Sequence, residues 1–253
     1  MTARFTGRTV LVTGGGTGIG RAIALAFAQE GARLVVAGRR EAPLKETVAR
    51  IAAAGGEALA VTADVTVSAE VRALVERTVE HFGSLDVAVN NVGLLPPPAK
   101  VADIPEDDWD AVLATNLKGV WLSMKHEIDH MRAHGGGAIV NVASNLGTHM
   151  RLEGFGAYVT SKAAVSALTR SAARDHIGDG IRINAVSPGP VETPMSSRPG
   201  ESAGDKAERM RQTVPAGRAG APGEIAAAVL YLASEEAGFT VGADLLLDGG
   251  ITA

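Results

Sequence analysis

The chain has 253 residues, of which 46% are hydrophobic and 21% charged, a balance typical of one globular domain rather than two independent ones. The formal net charge is −4, and charges of both signs are scattered without a basic stripe, so we expect no nucleic-acid partner. There are no cysteines, which excludes disulfides, thiolate catalysis and cysteine-based metal centres and is compatible with a reducing cytoplasm.

Short β-rich runs alternate with longer helical patterns along the whole chain. The predicted strands are nearly continuous apolar runs, as expected when helices cover both faces of a sheet. They are Thr9–Thr13, Arg33–Ala37, Glu57–Thr62, Leu85–Asn90, Ala138–Ala143, Ile181–Val186 and Asp244–Leu247. The predicted helices are Gly18–Glu30, Glu41–Ala54, Ser68–Phe82, Pro105–Arg132, Gly156–Ile177 and Pro222–Ser234. Repeated strand–helix–strand units predict a single α/β domain over residues 1–253, with a doubly wound, seven-stranded parallel sheet.

The segment 188–214 is the least regular part of the sequence. It combines small residues, a charged patch and four prolines, which are Pro188, Pro190, Pro194 and Pro199. A long irregular segment inside a compact domain is usually a functional lid or a disordered loop. We expect a substrate loop or lid here.

A glycine-rich turn follows the first strand directly and leads into the first helix. It reads Thr13-Gly14-Gly15-Gly16-Thr17-Gly18-Ile19-Gly20. Glycines permit positive φ and close backbone approach, and the unpaired N–H groups of a helix start attract a pyrophosphate. The alternative is a tight strand–helix connection without a ligand. We predict dinucleotide binding, with contacts from Gly14, Gly16, Thr17, Gly18, Ile19 and Gly20. The Thr-Gly-x-x-x-Gly-x-Gly spacing resembles the short-chain dehydrogenase/reductase family.

The end of the second strand bears on the choice between NAD and NADP. An acidic residue there accepts from the NAD ribose and repels the 2′-phosphate of NADP. In this chain that position is Gly38, and Arg39 and Arg40 follow it. They could bind the phosphate or form a solvated helix start, although cations are unfavourable at a helix N-terminus. We expect NADP(H) to be preferred and NAD(H) to be possible, since Thr17 lacks the basic side chain of some NADP-preferring relatives.

Further candidates for the cofactor site follow the third and fourth strands. Asp64, with Val65 beside it, could accept from the adenine amino group or act as a turn aspartate before Thr66. Asn90 and Gly93 are the first and last residues of the run Asn-Asn-Val-Gly, which could line the adenine and ribose or brace the sheet. We predict that Asp64, Val65, Asn90 and Gly93 belong to the cofactor site.

A tyrosine and a lysine stand four residues apart near the start of a predicted helix. This spacing places Tyr158 and Lys162 on one helix face. A nearby ammonium stabilises the phenolate, so we expect Lys162 to lower the pKa of Tyr158 toward the range useful for acid/base catalysis. Both residues could also contact the nicotinamide ribose. The motif is short, and its weight comes from its context.

Two polar residues supply part of that context. Ser144 follows the fifth predicted strand, at the edge where open α/β sheets place ligands, and could polarise a substrate carbonyl or merely stabilise a turn. Asn116 lies inside the long predicted helix, where asparagine is a poor helix former. It could hold a water that relays protons to Lys162, or be an ordinary exposed residue.

Together these motifs resemble the short-chain dehydrogenase/reductase family in order and rough spacing over nearly the whole chain. The resemblance extends to Pro188-Gly189-Pro190-Val191-Glu192-Thr193 and Asp248-Gly249-Gly250. It implies a single-domain Rossmann fold and an NAD(P)(H)-dependent interconversion of a secondary alcohol and a ketone. It implies catalytic roles for Asn116, Ser144, Tyr158 and Lys162, and nicotinamide contacts from Pro188, Gly189, Val191 and Thr193. It also implies a homotetramer, with the helices that carry Asn116 and Tyr158 in one interface.

One departure from the family pattern concerns the loop before the tyrosine. Ser144 and Tyr158 are fourteen positions apart, about one more than the family leads us to expect, and we place the extra residue within 145–156. The loop includes His149, Met150 and Leu152, which could contact substrate. The acid/base assignment is unaffected, but the shape of the pocket is left open.

Other classes of site and partner are set aside at this stage. His126, His130 and His134 recur every four residues, but charged neighbours favour a solvated or subunit-contacting face, and we expect no metal site. No apolar run is long enough to span a bilayer and the first residues lack a secretory signal, so we expect a cytoplasmic protein without a membrane partner. The alternative function is a non-enzymatic nucleotide-binding scaffold or sensor.

Overall fold

Seven parallel strands form one sheet at the centre of the computed structural model, which describes residues 3–198 and 200–253. The strand order is β3-β2-β1-β4-β5-β6-β7. The strands are β1 Thr9–Thr13, β2 Arg33–Gly38, β3 Ala58–Thr62, β4 Val87–Asn90, β5 Gly137–Val142, β6 Ile181–Pro188 and β7 Asp244–Leu247. The chain winds outward from β1 to β3 and then from β4 to β7, so the direction reverses between β1 and β4. This confirms the predicted doubly wound Rossmann fold, and ligands bind such sheets at the reversal point.

Eight α-helices connect the strands within the described residues. They are α1 Gly18–Gln29, α2 Glu41–Ala53, α3 Ser68–Phe82, α4 Glu106–Leu113, α5 Gly119–Ala133, α6 Gly156–His176, α7 Ala203–Thr213 and α8 Pro222–Ala233. A π-helical turn, Ala114–Lys118, joins α4 to α5. The long helix predicted over 105–132 is therefore one helical element with a widened turn around Asn116, a feature that often accompanies functional sites.

Helices cover both faces of the sheet, and alternate residues of each strand face opposite layers. In β1, Val10 and Val12 pack into one layer, against α1, α2 and α8. Leu11 lies between them and packs into the other layer, against α3, α5 and α6. Burial on both faces explains why the strands read as continuous apolar runs.

The segment 188–214 is more regular than its composition predicts. It contains helix α7, whose N-terminus is capped by Ser202, with a hydrogen bond from Asp205 N to Ser202 Oγ. Lys206 and Met210 are its buried residues, so it lacks the broad apolar stripe that identifies a helix from sequence. The expectation of an irregular segment was wrong for this part. The lid role stays a prediction, and Pro199 lies outside the described residues.

Two further findings concern classes of site set aside above. In the described ranges, no helix combines the length and apolar character needed to cross a membrane. The same ranges hold no group of three or more His, Asp or Glu side chains arranged to bind a metal ion. His130 and His134 stack on each other with ring centroids 4.1 Å apart, while His126 Nε2 lies 3.0 Å from Ser68 Oγ.

Candidate active site

The glycine turn lies at the carboxyl end of β1, beside the point where the winding of the sheet reverses. Gly14 and Gly18 adopt positive φ angles of 66° and 52°, which other residues rarely adopt. A Cβ on Gly20 would lie 2.2 Å from the carbonyl oxygen of Gly14. Glycine is therefore required at these positions for the turn to close against the start of α1.

The N-terminus of α1 is suited to bind an anion. Its N-cap residue, Thr17, is exposed and makes no side-chain capping hydrogen bond, and the first turn carries no acidic residue. The N–H groups of Gly18, Ile19 and Gly20 thus lack a side-chain cap. Arg21 fastens the turn from behind, since its guanidinium donates to Gly16 O and pairs with Glu46. This backbone cradle fits the pyrophosphate of a dinucleotide.

Asn91 ties the glycine turn to the neighbouring strand β4. Its Nδ2 donates to Thr13 O at 3.2 Å and Gly14 O at 3.3 Å, and its backbone N donates to Thr13 Oγ1 at 3.1 Å. The cofactor contact predicted from the Asn-Asn run is that of the first asparagine, Asn90. Strand alternation could have separated the two, because Asn90 is still inside β4 and Asn91 lies just beyond it.

The side chain of Asn90 serves the interior of the protein. It shares a face of β4 with Ala88, which packs in the layer of α3, α5 and α6. Asn90 Nδ2 donates to Glu127 Oε2 at 3.0 Å and to Asn141 Oδ1 at 3.1 Å. The side chain is buried in an interior network, which agrees with the alternative interpretation that it braces the sheet. The cofactor contact of Asn90 stays a prediction.

The predicted adenosine end is formed by the ends of β2 and β3. Arg39 and Arg40 are exposed, and Arg40 is the N-cap residue of α2. Hydrogen bonds from Thr66 hold the pKa of Asp64 below its ordinary value, and the charge of Arg39 acts in the same direction. Asp64 is thus the turn aspartate of the alternative interpretation, while it lies within electrostatic reach of Arg39. Val65 is buried and packs in a small cluster with Val71 and Leu122.

Tyr158 and Lys162 lie one turn apart on α6, and both are buried. Lys162 Nζ is 6.0 Å from the centroid of the tyrosine ring and donates to Val142 O, at the end of β5, at 2.8 Å. A Cβ on Gly93 would lie 3.6 Å from Lys162 Nζ. The loop after β4 therefore passes close to the ammonium. The predicted cofactor contact of Gly93 stays a prediction.

Burial governs the ionisation of this pair. It raises the pKa of the Tyr158 phenol, and the neighbouring Ser144 hydroxyl opposes the rise by hydrogen bonding. Burial also lowers the pKa of Lys162 to about 8. The expectation that the pKa of Tyr158 lies below its ordinary value is not met, because desolvation of the phenolate dominates.

Ser144 lies two residues beyond the end of β5 and is 7% exposed. Its Oγ accepts a hydrogen bond from Leu146 N at 3.1 Å, so the residue also stabilises the turn that begins there. The oxygen is the acceptor in this contact, so the hydroxyl proton can be donated to Tyr158 or to a substrate oxygen. Both interpretations of Ser144, turn residue and partner of a substrate oxygen, are compatible with this position.

Asn116 lies in the π-helical turn and is fully buried. Its Oδ1 accepts from Leu94 N at 2.7 Å, while its Nδ2 donates to Leu94 O at 2.9 Å and to Ser161 Oγ at 3.1 Å. The exposed-face alternative is wrong. Both amide protons are used by protein partners, so a relay water could contact the side chain only through the second lone pair of Oδ1.

The segment that begins with Pro188 closes the site from the β6 side. Asn145 N donates to Pro188 O at 2.9 Å, which joins the Ser144 turn to this segment. A Cβ on Gly189 would lie 2.7 Å from Asp248 Cα, so the Asp-Gly-Gly turn supports it closely. Thr193 reaches the glycine turn, since its Cγ2 would lie 3.3 Å from a Cβ on Gly18. Val191 is buried in the core beneath.

A buried lysine on α7 is a second anchor of this segment, and the sequence did not predict it. Lys206, on α7, is buried and binds Glu192 with an Nζ to Oε1 distance of 2.6 Å. The same Nζ lies 3.2 Å from Ser197 Oγ. A lysine fourteen positions from a glutamate carries no local sequence signal, so its role appears only in the fold.

The arrangement therefore joins a pyrophosphate cradle to a buried phenol, a buried ammonium and a serine hydroxyl at one edge of the sheet. The phenol can give or take a proton, and the serine hydroxyl can donate to a developing oxyanion. The ammonium is available to a ligand hydroxyl beside Gly93. Such a set of groups supports proton transfer next to a bound dinucleotide.

Comparisons with known proteins agree with this arrangement. A family model described as enoyl-(acyl carrier protein) reductase matches residues 14–252. The chain is 42% identical to cis-4-hydroxycyclohexanecarboxylate dehydrogenase from Sinomonas cyclohexanicum, over 98% of both proteins. It is 36% identical to cyclohexanol dehydrogenase from Acinetobacter, over 100% of this chain and 98% of that protein.

A solved structure shows the same likeness in three dimensions. The crystal structure of a short-chain dehydrogenase/reductase from Mycobacterium marinum superposes with a TM-score of 0.92 and 34% identity, over 100% of this chain and 98% of that chain. Sequence and structure are thus similar over essentially the full length of this chain. The chain belongs to the short-chain dehydrogenase/reductase family of oxidoreductases.

Proposed function

We propose that this protein interconverts a secondary alcohol and a ketone with an NAD(P)(H) cofactor, and that Tyr158 is its acid/base. The observation that carries the proposal is the position of the buried Tyr158 phenol. The Ser144 hydroxyl hydrogen-bonds to this phenol, and Lys162 Nζ lies 6.0 Å from the centroid of its ring. All three residues lie at the same sheet edge as the glycine cradle. A protein that only bound nucleotide would have no use for a buried phenol beside a buried ammonium.

Each residue has a distinct part in the proposed reaction. The cofactor, when bound, supplies or accepts the hydride through its nicotinamide. Tyr158 donates a proton to the carbonyl oxygen in reduction and removes it from the hydroxyl in oxidation. Ser144 donates a hydrogen bond to the same oxygen and stabilises its developing negative charge. The positive charge of Lys162 near the phenol opposes the effect of burial, which by itself disfavours the phenolate.

The binding residues hold the cofactor on one side of this centre. The α1 N-terminus and the glycine turn would bind the pyrophosphate, and Pro188, Gly189, Val191 and Thr193 would flank the nicotinamide. Asn116 fixes the backbone of Leu94 and so shapes the loop between the ammonium and the substrate space. Closure of the 188–214 lid would exclude water from the reaction.

The direct test is a screen of alcohols and ketones with both cofactors, followed by absorbance of the reduced nicotinamide. Two relatives are named for alcohols on a cyclohexane ring, so cyclohexanol and cyclohexanone are the first probes. Tyr158→Phe should keep cofactor binding and lower turnover about 10³-fold or more. Near-full activity of this variant would remove Tyr158 from the mechanism. Cofactor binding without turnover on any alcohol or ketone would favour the nucleotide-binding scaffold.

We propose further that NADP(H) is preferred, with NAD(H) also accepted. Gly38 stands where NAD-binding proteins carry an acidic residue at the end of the second strand, so no negative charge repels the 2′-phosphate there. Arg39 places a guanidinium near Asp64. Arg39→Asp should reverse the preference, because it places a carboxylate where the 2′-phosphate would bind. Fluorescence titration with NADPH and NADH measures the two affinities. Arg72→Asp, at an exposed position of α3, is the control. Tighter NADH binding by the unmodified protein would contradict the proposal.

We also propose a cytoplasmic homotetramer. An apolar groove between α6 and the helical element formed by α4, the π-helical turn and α5 supports the assembly. It is lined by Leu113, Leu117, Trp121 and Leu168, and Trp121 is 45% exposed. Light scattering after gel filtration should give four times the 25.8 kDa chain mass. Trp121→Glu should dissociate the assembly, whereas Val67→Glu, at a comparably exposed site, should not. A monomer at micromolar concentration would contradict the proposal.

A further inference from the structure

A polar cluster outside the site just described surrounds Asp244, the first residue of β7. Its side chain is 6% exposed. Asp244 Oδ1 accepts from Ser187 Oγ at 2.5 Å, and Oδ2 accepts from Ser166 Oγ at 2.6 Å. Ser187 lies on β6 and Ser166 on α6, and both are fully buried. Two strands and a helix therefore supply the frame of one buried carboxylate.

His149 brings a fourth element to this carboxylate. Its Nε2 lies 3.3 Å from Asp244 Oδ2. This nitrogen is buried and makes no regular hydrogen bond within residues 3–198 and 200–253. A buried carboxylate held by two neutral hydroxyls still favours a third, cationic or proton-donating partner. His149 Nε2 and Asp244 Oδ2 thus face each other across a 3.3 Å contact, and the imidazole is placed as this further partner.

His149 belongs to a small hairpin that starts at the proposed catalytic serine. Met150 N donates to Asn145 O at 2.8 Å and Gly147 N donates to Met150 O at 3.0 Å. Leu146 N donates to Ser144 Oγ. A Cβ on Gly147 would lie 2.9 Å from Ala163 N, so the hairpin rests directly on α6.

We propose that His149 is a positioning residue, which fixes the 145–150 hairpin and the following pocket wall by docking on Asp244. The hairpin lies within the segment that is about one residue longer than the family pattern. The Ser166–Ser187–Asp244 frame gives this longer segment a defined attachment point on the sheet. The contact with Asp244 thereby determines where Met150 and Leu152 stand beside the substrate space. The effect on substrate rests on the proposed function, while the docking itself does not.

Hydrogen exchange followed by mass spectrometry tests the docking on the cofactor-free protein. His149→Ala should speed exchange in the peptide around Gly147 and Met150 about tenfold, since these amides then lose the anchor of their hairpin. His149→Gln, which keeps a donor of similar reach, should restore most of the protection. His176→Ala is the matched control, because His176 also contacts an aspartate, Asp179, at 2.8 Å, on an exposed surface.

Unchanged exchange in His149→Ala would refute the docking, as would a glutamine variant no better than alanine. Asp244→Asn gives the reciprocal test, and if it does not fold, the histidine variants still decide the question.

In steady-state kinetics, His149→Ala should raise the KM for the alcohol about tenfold, with kcat and the cofactor KM within about twofold. A KM equal to that of His176→Ala would refute the effect on the pocket. If the protein turns over no alcohol, the exchange result still stands alone, so the two failures are distinguishable.

Discussion

The two helical layers that flank the sheet bury different kinds of side chain. The layer of α1, α2 and α8 is filled by apolar residues such as Ile23, Phe27 and Val229. The layer of α3 to α6 buries Asn90, Asn116, Glu127, Asn141, Ser161, Lys162, Ser166 and Thr169 among its apolar residues. Since buried polar groups cost stability unless they are paired, they concentrate where the chemistry requires them.

The difference teaches that one layer mainly stabilises the fold and the other also prepares the site. Asn90, Asn141 and Thr169 link β4, β5 and α6 by side-chain hydrogen bonds beneath the reacting groups. Such a network fixes strand and helix positions more specifically than apolar packing does. Substitutions in the two layers should therefore separate stability from catalysis.

The largest expected effect is on stability, from Phe27→Ala in the apolar layer. Phe27 is fully buried and its ring meets that of Phe5 edge to face, with centroids 4.7 Å apart. Removing the ring should lower the free energy of unfolding by about 3–5 kcal/mol. Urea denaturation measures it, and kcat per folded molecule should hardly change. A variant with normal stability but impaired kcat would contradict the division between the layers.

Ser144→Ala should show the opposite behaviour. Loss of one oxyanion donor costs about 10²- to 10³-fold in kcat. The loss of its bond to Leu146 N should cost only about 1 kcal/mol of stability. Ser234→Ala is the matched control, because Ser234 is also buried but donates to Tyr231 O at the end of α8. A kcat loss of similar size in both variants would mean that Ser144 acts only through the fold.

Local patterns made much of this architecture predictable. The strands and their helices follow from apolar runs and turn residues, and the four-residue spacing of Tyr158 and Lys162 places them on one helix face whatever the rest of the fold. The glycine turn is likewise local. These features depend on neighbours in sequence, so the chain alone indicates them.

The remainder depends on contacts between distant segments. The direction of the pKa shift of Tyr158 reflects the burial that the whole fold imposes. The π-helical turn at Asn116 places that side chain against Leu94 and Ser161, which no local periodicity indicates. The contact between His149 and Asp244 joins the loop after β5 to the last strand.

A pH-dependent prediction concerns Glu127, in the polar layer. Burial raises its pKa to about 7. Between the ordinary glutamate value of 4.5 and about 7, the folded state holds a proton that the unfolded chain has released, so stability falls as pH rises through this window. Glu127→Gln lacks this penalty and should be more stable above pH 7 by up to about 3 kcal/mol.

A glutamine at position 127 could also form a hydrogen bond to Asn90 that an ionised carboxylate cannot form, because a carboxylate has no proton to donate. Asn90 Oδ1 is buried without a hydrogen bond in the described structure, and a glutamine amide could donate to it. Urea denaturation at several values between pH 5 and 8 measures the difference between variant and parent, which should grow with pH. Glu80→Gln, at an exposed site of α3, should give a constant difference. A constant difference for Glu127→Gln as well would show that the pKa of Glu127 is not raised in the folded state.

The smallest expected effect separates two buried threonines in the polar layer. Thr169 Oγ1 donates to Val165 O and accepts from Asn141 Nδ2 at 2.9 Å, whereas Thr78 Oγ1 donates to Leu74 O. Thr169→Val leaves the buried Asn141 Nδ2 with only the sulfur of Met124, at 3.2 Å, as an acceptor. This loss should lower the free energy of unfolding by about 1–2 kcal/mol. Thr78→Val should be near neutral, because the α3 carbonyl keeps its helical hydrogen bond. Equal unfolding free energies for both variants would mean that the link between β5 and α6 contributes nothing, and that the polar layer is held by packing alone.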